Sequence, residues 1–281
     1  MQTLTSRRTL LTGIGGLGAA ALTAAAAPSA TALTRVRPTT GHWRTYTYAG
    51  RTATYHVYAN GIDWTRTVGV LWYFDGDYHR KEWSRVLNPT GVTMTAMAAE
   101  ANRRNLVLVA VATPSAYSAV NGWTWWAEMQ ANGDFVRAFA AWFNGAHTVS
   151  LWRQWMLGYS GGAELISKEL MSERQTSWMT FGGAIMIGGG GRPYSYSDAA
   201  VTTTYRSLHA SWVVGSLDVA GSTNPVTWSA LDNAKSATAF FLARGYTRAR
   251  LTTLAGIGHG DYDIPGEMRA PLDRAGVVRL R

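Results

Sequence analysis

Apolar residues along the chain gather into short runs. Residues 43–48, 52–58, 68–74, 105–112, 151–157, 181–187, 210–215 and 248–254 each have the length and composition of a strand. From the third run onward, segments of helical character separate them. Ala163, Ile166 and Leu170 recur at helical spacing, a helix is expected through Phe135, Phe139 and Trp142, and residues 228–246 form a long amphipathic stretch. This alternation predicts an α/β fold, a mostly parallel central sheet with helices on both faces. The first two runs read as an antiparallel hairpin that turns at Gly50 or Asn60. No internal repeat or interdomain linker interrupts the pattern. Residues 33–281 are therefore expected to form one domain, about 250 residues being enough for a substantial core.

The first 32 residues do not fit this scheme. Ser6-Arg7-Arg8-Thr9-Leu10-Leu11 carries paired arginines, a Gly/Ala-rich apolar stretch follows to Ala27, and Ala30-Thr31-Ala32 offers an A-x-A cleavage site. Together these predict a twin-arginine signal peptide cleaved near Ala32, and hence a secreted protein. A retained membrane anchor is the competing reading, although so much Gly and Ala makes a poor membrane span. The chain has no cysteine, so its fold needs no disulfide in an oxidising compartment.

Candidate chemistry begins at Gly158-Tyr159-Ser160-Gly161-Gly162. G-x-S-x-G is the form of a nucleophile elbow, in which a serine is held on a sharp strand-to-helix turn. In a chain with 30 glycines the pattern needs context, and here an apolar run precedes it and a helical pattern follows. Side chains at positions 158 and 162 would obstruct such a turn. Ser160 is the candidate nucleophile of a serine hydrolase, the N–H of Gly161 a candidate oxyanion donor, and Tyr159 a candidate substrate contact. The chain order Ser, acid, His then selects the partners. Of the six histidines only His259 lies beyond Asp218, in Gly256-Ile257-Gly258-His259-Gly260. Asp218 follows the strand-like residues 211–215 and is the expected orienting carboxylate, with Asp232, Asp261 and Asp263 as alternatives.

Phe74-Asp75-Gly76-Asp77, at the end of the third run, resembles the strand-end D-G-x or H-G-x of the esterase D-like α/β-hydrolases. That family includes feruloyl and acetyl esterases, enterochelin esterases and the antigen 85 mycolyltransferases. The resemblance implies the α/β-hydrolase fold, no cofactor, and the Asp77 N–H as second oxyanion donor. A carboxylate at that position is unfavourable beside an oxyanion unless it turns away or is paired. The expected activity is hydrolysis of carboxylic esters, with acyl or aromatic-acyl esters of carbohydrates or polyesters as substrates. Acyl transfer to cell-envelope sugars, as in the mycolyltransferases, is the alternative.

Aromatic content and charge refine this picture. Trp123, Trp125 and Trp126 follow residues 105–112 through a loop expected at the carboxyl edge of the sheet, where they would form a substrate platform. Packing of the helix that follows is the competing role, with Trp123 the one expected to be exposed. Residues 188–194, which begin with four glycines, read as a mobile rim. Removing the charges of Arg7 and Arg8 from the net +9 leaves +7 on the mature chain, which suits either association with anionic envelope polymers or solubility alone. No basic run with interleaved aromatics marks a nucleic-acid face, and a monomer is expected. Two rival readings exist. Asp75-Gly76-Asp77 with His79 resembles the D-x-D of metal-dependent phosphatases, but that leaves Ser160 and His259 without a role. A non-catalytic binding module would suit the tryptophans but not an intact triad. Neither H-E-x-x-H nor paired cysteines are present, so no metal is expected.

Overall fold

The structure, a computed structural model, describes residues 34–172, 178–198, 201–223 and 225–280. The signal segment predicted over residues 1–32 lies outside the described residues. Among the described residues, eight strands and seven α-helices follow in the order β1 (Gly41–Tyr48), β2 (Arg51–Tyr58), β3 (Gly69–Phe74), α1 (Val92–Asn102), β4 (Leu106–Val111), α2 (Met129–Ala146), β5 (Gln154–Tyr159), α3 (Gly161–Leu165), β6 (Gly182–Ile187), α4 (Thr203–Arg206), β7 (His209–Gly215), α5 (Ala230–Ala243), β8 (Ala249–Leu254), α6 (Ile264–Glu267) and α7 (Arg269–Arg274). The sheet order is β1-β2-β4-β3-β5-β6-β7-β8. β1 and β2 are antiparallel to their neighbours and all other pairs are parallel.

β3, β4, β5 and β6 are buried on both faces, which is why their sequences are nearly continuous apolar runs. Alternate residues of β3 enter opposite cores. Val70, Trp72 and Phe74 pack with α2, α3 and α5, whereas Leu71 and Tyr73 pack with α1, α6 and α7. The hairpin turns at Gly50: Ala49 and Gly50 have φ of 49° and 77°, the left-handed pair of a tight hairpin whose twist matches its strands. Among the described residues no helix is long and apolar enough to cross a membrane.

One strand is displaced from its expected position. The run 151–157 predicts a strand, yet β5 begins only at Gln154 and continues through Gly158 and Tyr159. Ser150 explains the late start, because its carbonyl accepts from Arg153 N–H and its hydroxyl from Trp152 N–H, bending Leu151 and Trp152 into a turn that leaves Trp152 exposed. The consequence is that β5 runs directly into Ser160.

Candidate active site

Ser160 joins β5 to α3 with φ 50° and ψ −117°, a conformation that is strained for any residue with a side chain. Close packing holds it there. A Cβ at Gly162 would overlap the Phe74 carbonyl, and one at Gly158 would stand 2.5 Å from the Gly162 carbonyl group, so both flanking positions must be glycine. The Ser160 N–H donates to Ile187 O of the neighbouring strand at 2.9 Å, and its carbonyl accepts from Glu164 N–H as the helix starts. The half-buried hydroxyl is thereby fixed above the carboxyl edge of the sheet.

The loops after β7 and β8 bring the other two residues to it. Ser216 N–H donates to Leu254 O, Leu217 N–H to Ile257 O and Gly256 N–H to the Ser216 hydroxyl, which couples the two loops. His259 then lies with Nε2 2.9 Å from Ser160 Oγ and Nδ1 2.9 Å from Asp218 Oδ2. A carboxylate can only accept, so Nδ1 carries the hydrogen and Nε2 faces the serine hydroxyl as acceptor. Asp218 is fully buried, and its Oδ2 also accepts from the Tyr262 hydroxyl at 2.7 Å, while that hydroxyl accepts from Gly215 N–H at 2.7 Å. Burial, reinforced by the carboxylate beside it, pushes the Tyr262 phenol far up, so it remains a donor. The other carboxylates considered as partners are engaged elsewhere: Asp261 accepts from Gly258 N–H, Asp263 precedes α6, and Asp232 lies in the first turn of α5.

Tyr159, expected as a substrate contact, does not line the cleft over Ser160 but packs beneath His259. It is buried, its ring stacks on His259 with centroids 5.4 Å apart, and its hydroxyl donates to His259 O at 2.6 Å. The Arg85 guanidinium covers the Tyr159 ring at 4.5 Å and pairs with Asp75 at 3.0 Å. Asp75 in turn accepts from the Tyr73 hydroxyl and from the N–H groups of Gly76 and Arg85. It therefore braces the loop after β3, and among the described residues no cluster of three His, Asp or Glu side chains could hold a metal ion.

Asp77 and Gly161 meet at the mouth of the elbow, where the Asp77 carboxylate packs directly on Gly161 Cα. Neither N–H donates to a protein acceptor among the described residues. Asp77 Oδ1 accepts from Trp125 N–H at 2.9 Å. Burial, with the nearby charges of Glu164 and Asp75 adding to it, raises the Asp77 carboxyl to about 7.

A cleft of about 270 Å³ opens over Ser160, walled by Asp77, Trp126, Glu164, Trp228 and His259. Of the three neighbouring tryptophans only Trp126 faces it, 46% exposed. Trp125 is core, packed edge-on against Phe74, and Trp123 stacks on Tyr78 beside a different groove. Consecutive side chains in this loop point in different directions, so adjacency in sequence does not make a common platform. The glycines at 188–191 are anchored rather than flexible: Glu164 accepts from the N–H groups of Gly190 and Gly191, and the Trp212 indole donates to Gly190 O at 2.7 Å. Glu164 also pairs with Lys168 at 2.8 Å on the wall of the cleft. Sequence reasoning missed Tyr262, Arg85, Trp228 and Lys168, whose roles arise from contacts between residues far apart in the chain.

No family model and no curated protein matches this chain. Solved structures do. A thermostable esterase matches with TM-score 0.55 and 14% identity, over 83% of this chain and 61% of that one. LpqC, a poly(3-hydroxybutyrate) depolymerase from Bordetella parapertussis, matches with TM-score 0.54 and 15% identity, over 86% of this chain and 93% of its own. An α/β serine hydrolase without lid from Xanthomonas campestris matches with TM-score 0.53 and 14% identity, over 85% and 97%. The chain spans less than two thirds of the first of these and nearly the whole of the other two. At such identities the likeness shows the fold, which is that of the α/β-hydrolases and is consistent with the esterase D-like resemblance.

Proposed function

We propose that the protein is a serine hydrolase of carboxylic esters. The observation that supports this best is the hydrogen-bonded series Ser160–His259–Asp218 on a strained elbow. In this reading Ser160 Oγ bonds to the ester carbonyl carbon while its proton passes to His259 Nε2. Asp218, held by Tyr262, keeps the imidazole oriented and balances the positive charge that forms. The carbonyl oxygen gains the negative charge and takes hydrogen bonds from the N–H groups of Gly161 and Asp77. His259 then gives its proton to the departing alcohol oxygen, and water repeats the sequence to free the acid from Ser160. We read residues 1–32 as an export signal that carries the enzyme out of the cytoplasm.

Ser160→Ala should abolish turnover of p-nitrophenyl esters with the melting temperature nearly unchanged, and His259→Ala should lower kcat by roughly 10⁴. Labelling with an active-site phosphonate followed by peptide mapping tests the assignment directly. An adduct on any other serine would overturn it. Retention of an Arg7→Lys, Arg8→Lys double variant inside the cell, with the unaltered chain exported, would support the export reading, and equal export of both would sink it.

A further inference from the structure

The cleft over Ser160 is not isolated. Asp77 lies on its rim and also on the rim of a second depression of about 180 Å³, formed with Trp83, Arg85 and Tyr159. Tyr78 then borders both that depression and a third, larger groove of about 470 Å³. The three hollows thus follow one another across the segment 76–78. Each has one exposed tryptophan: Trp126 at the first, Trp83 (60% exposed) at the second and Trp43 (59% exposed) at the third.

Trp43 is held outward at a cost. It sits in the irregularity between Gly41 and Arg44 of β1 with φ of 60°, an unfavourable conformation for a bulky residue. Its N–H donates to Nδ1 of His56 at 2.9 Å. Burial, helped by the neighbouring His42, lowers the fully buried His56 to about 4, so Nδ1 remains an acceptor at neutral pH. A strained backbone that presents an indole to solvent marks a binding surface more than a packing one. Trp123 lines the same groove, stacked on Tyr78 and with Lys81 over its ring. Thr52 and Thr54 also line the groove, and Lys81 and Glu82 add a cationic donor and an anionic acceptor.

We propose that the three hollows form one groove for a glycan chain, with its esterified unit at Ser160. Flat indoles suit the apolar faces of sugar rings, and the mixture of donors and acceptors suits their hydroxyls. A polyester chain offers acceptors only and could use Lys81 but not Glu82, whereas sugar hydroxyls could use both. The position of the ester rests on the hydrolase reading, whereas chain binding does not.

Binding is therefore measured on Ser160→Ala protein, by calorimetric titration with xylohexaose, cellohexaose and chitohexaose and with a 3-hydroxybutyrate hexamer. At least one hexasaccharide should bind, more tightly than its monosaccharide. Adding Trp43→Ala or Trp83→Ala should weaken that binding about fivefold or more, the loss expected for one stacking contact. Circular dichroism confirms folding of each variant, and the second tryptophan carries the test if the first variant does not fold. Failure of all three sugars to bind, binding unchanged in both tryptophan variants, or tryptophan-dependent binding of the polyester alone would overturn the proposal. Absence of ester turnover in the unaltered protein, with sugar binding intact, would overturn the hydrolase reading and leave the groove standing.

Discussion

Asp77 makes two opposed electrostatic contributions within one residue. In the proposed hydrolysis its N–H would face a developing negative charge, while its carboxyl lies against Gly161, whose N–H would be the other donor. With that carboxyl raised to about 7 by burial and by the charges of Glu164 and Asp75, the group is largely neutral below that pH and increasingly anionic above it. A neutral carboxyl does not oppose the oxyanion, and an ionised one does. The ratio of kcat/KM for Asp77→Asn to that of the unaltered enzyme should therefore be flat below about pH 7 and should rise above it. Asparagine keeps the carbonyl that accepts from Trp125 N–H, so the loop should hold its shape. Parallel pH profiles of the two proteins would show that the carboxyl is remote from the charge. The hydrogen-bonded series Ser160–His259–Asp218 was legible in the sequence because the motif and chain order admit few choices. Tyr262, which holds Asp218, was not: a tyrosine near the chain's end carries no local sign that it meets a carboxylate 44 residues earlier.

At the scale of the element, the elbow joins β5 to α3 by bringing two backbones closer than any side chain permits. Gly162 lies against the Phe74 carbonyl at the end of β3, and backbone cannot give way as a flexible side chain can. Gly162→Ala should cost about 1–3 kcal/mol of stability in urea denaturation and should move Ser160 enough to reduce kcat severely. Unaltered stability and activity would show that the two segments separate easily. The pattern of the sequence revealed the central strands most plainly, because β3, β4, β5 and β6 are buried on both faces and so are nearly free of polar residues. It failed where burial and apolarity part company. Trp152 is apolar but exposed in a turn, which moved the start of β5, and Trp123, Trp125 and Trp126 share composition but face three environments. The row of exposed indoles at 43, 83 and 126 is equally invisible in sequence, since its members come from three separate segments.

The whole molecule is closed by an ionic cluster on the face of the sheet opposite α2. Glu100 of α1 has a fully buried carboxylate that meets Arg104, Arg279, Arg103 and Arg269. Arg104, itself buried, also pairs with Asp273 at 2.6 Å and donates to Val277 O, while Leu280 N–H donates to Arg103 O. One carboxylate thus ties the end of the chain, including α7, to α1. Burial alone would raise the Glu100 carboxyl, but hydrogen bonds from Arg279 and Arg104 outweigh it, and the net shift is downward from the ordinary 4.5. A depressed carboxyl stabilises the fold fully above the unfolded-state value, and the contribution is lost as pH falls through the folded-state value below it. Glu100→Ala leaves Arg104 buried without its main partner and should cost about 3–5 kcal/mol at neutral pH. Glu100→Gln tests the ionisation itself: the melting temperature of the unaltered protein should fall on acidification below about pH 4.5 more steeply than that of the variant, so the two should converge in acid. Identical pH dependence would mean that the arginines hold the chain's end without the charge of Glu100.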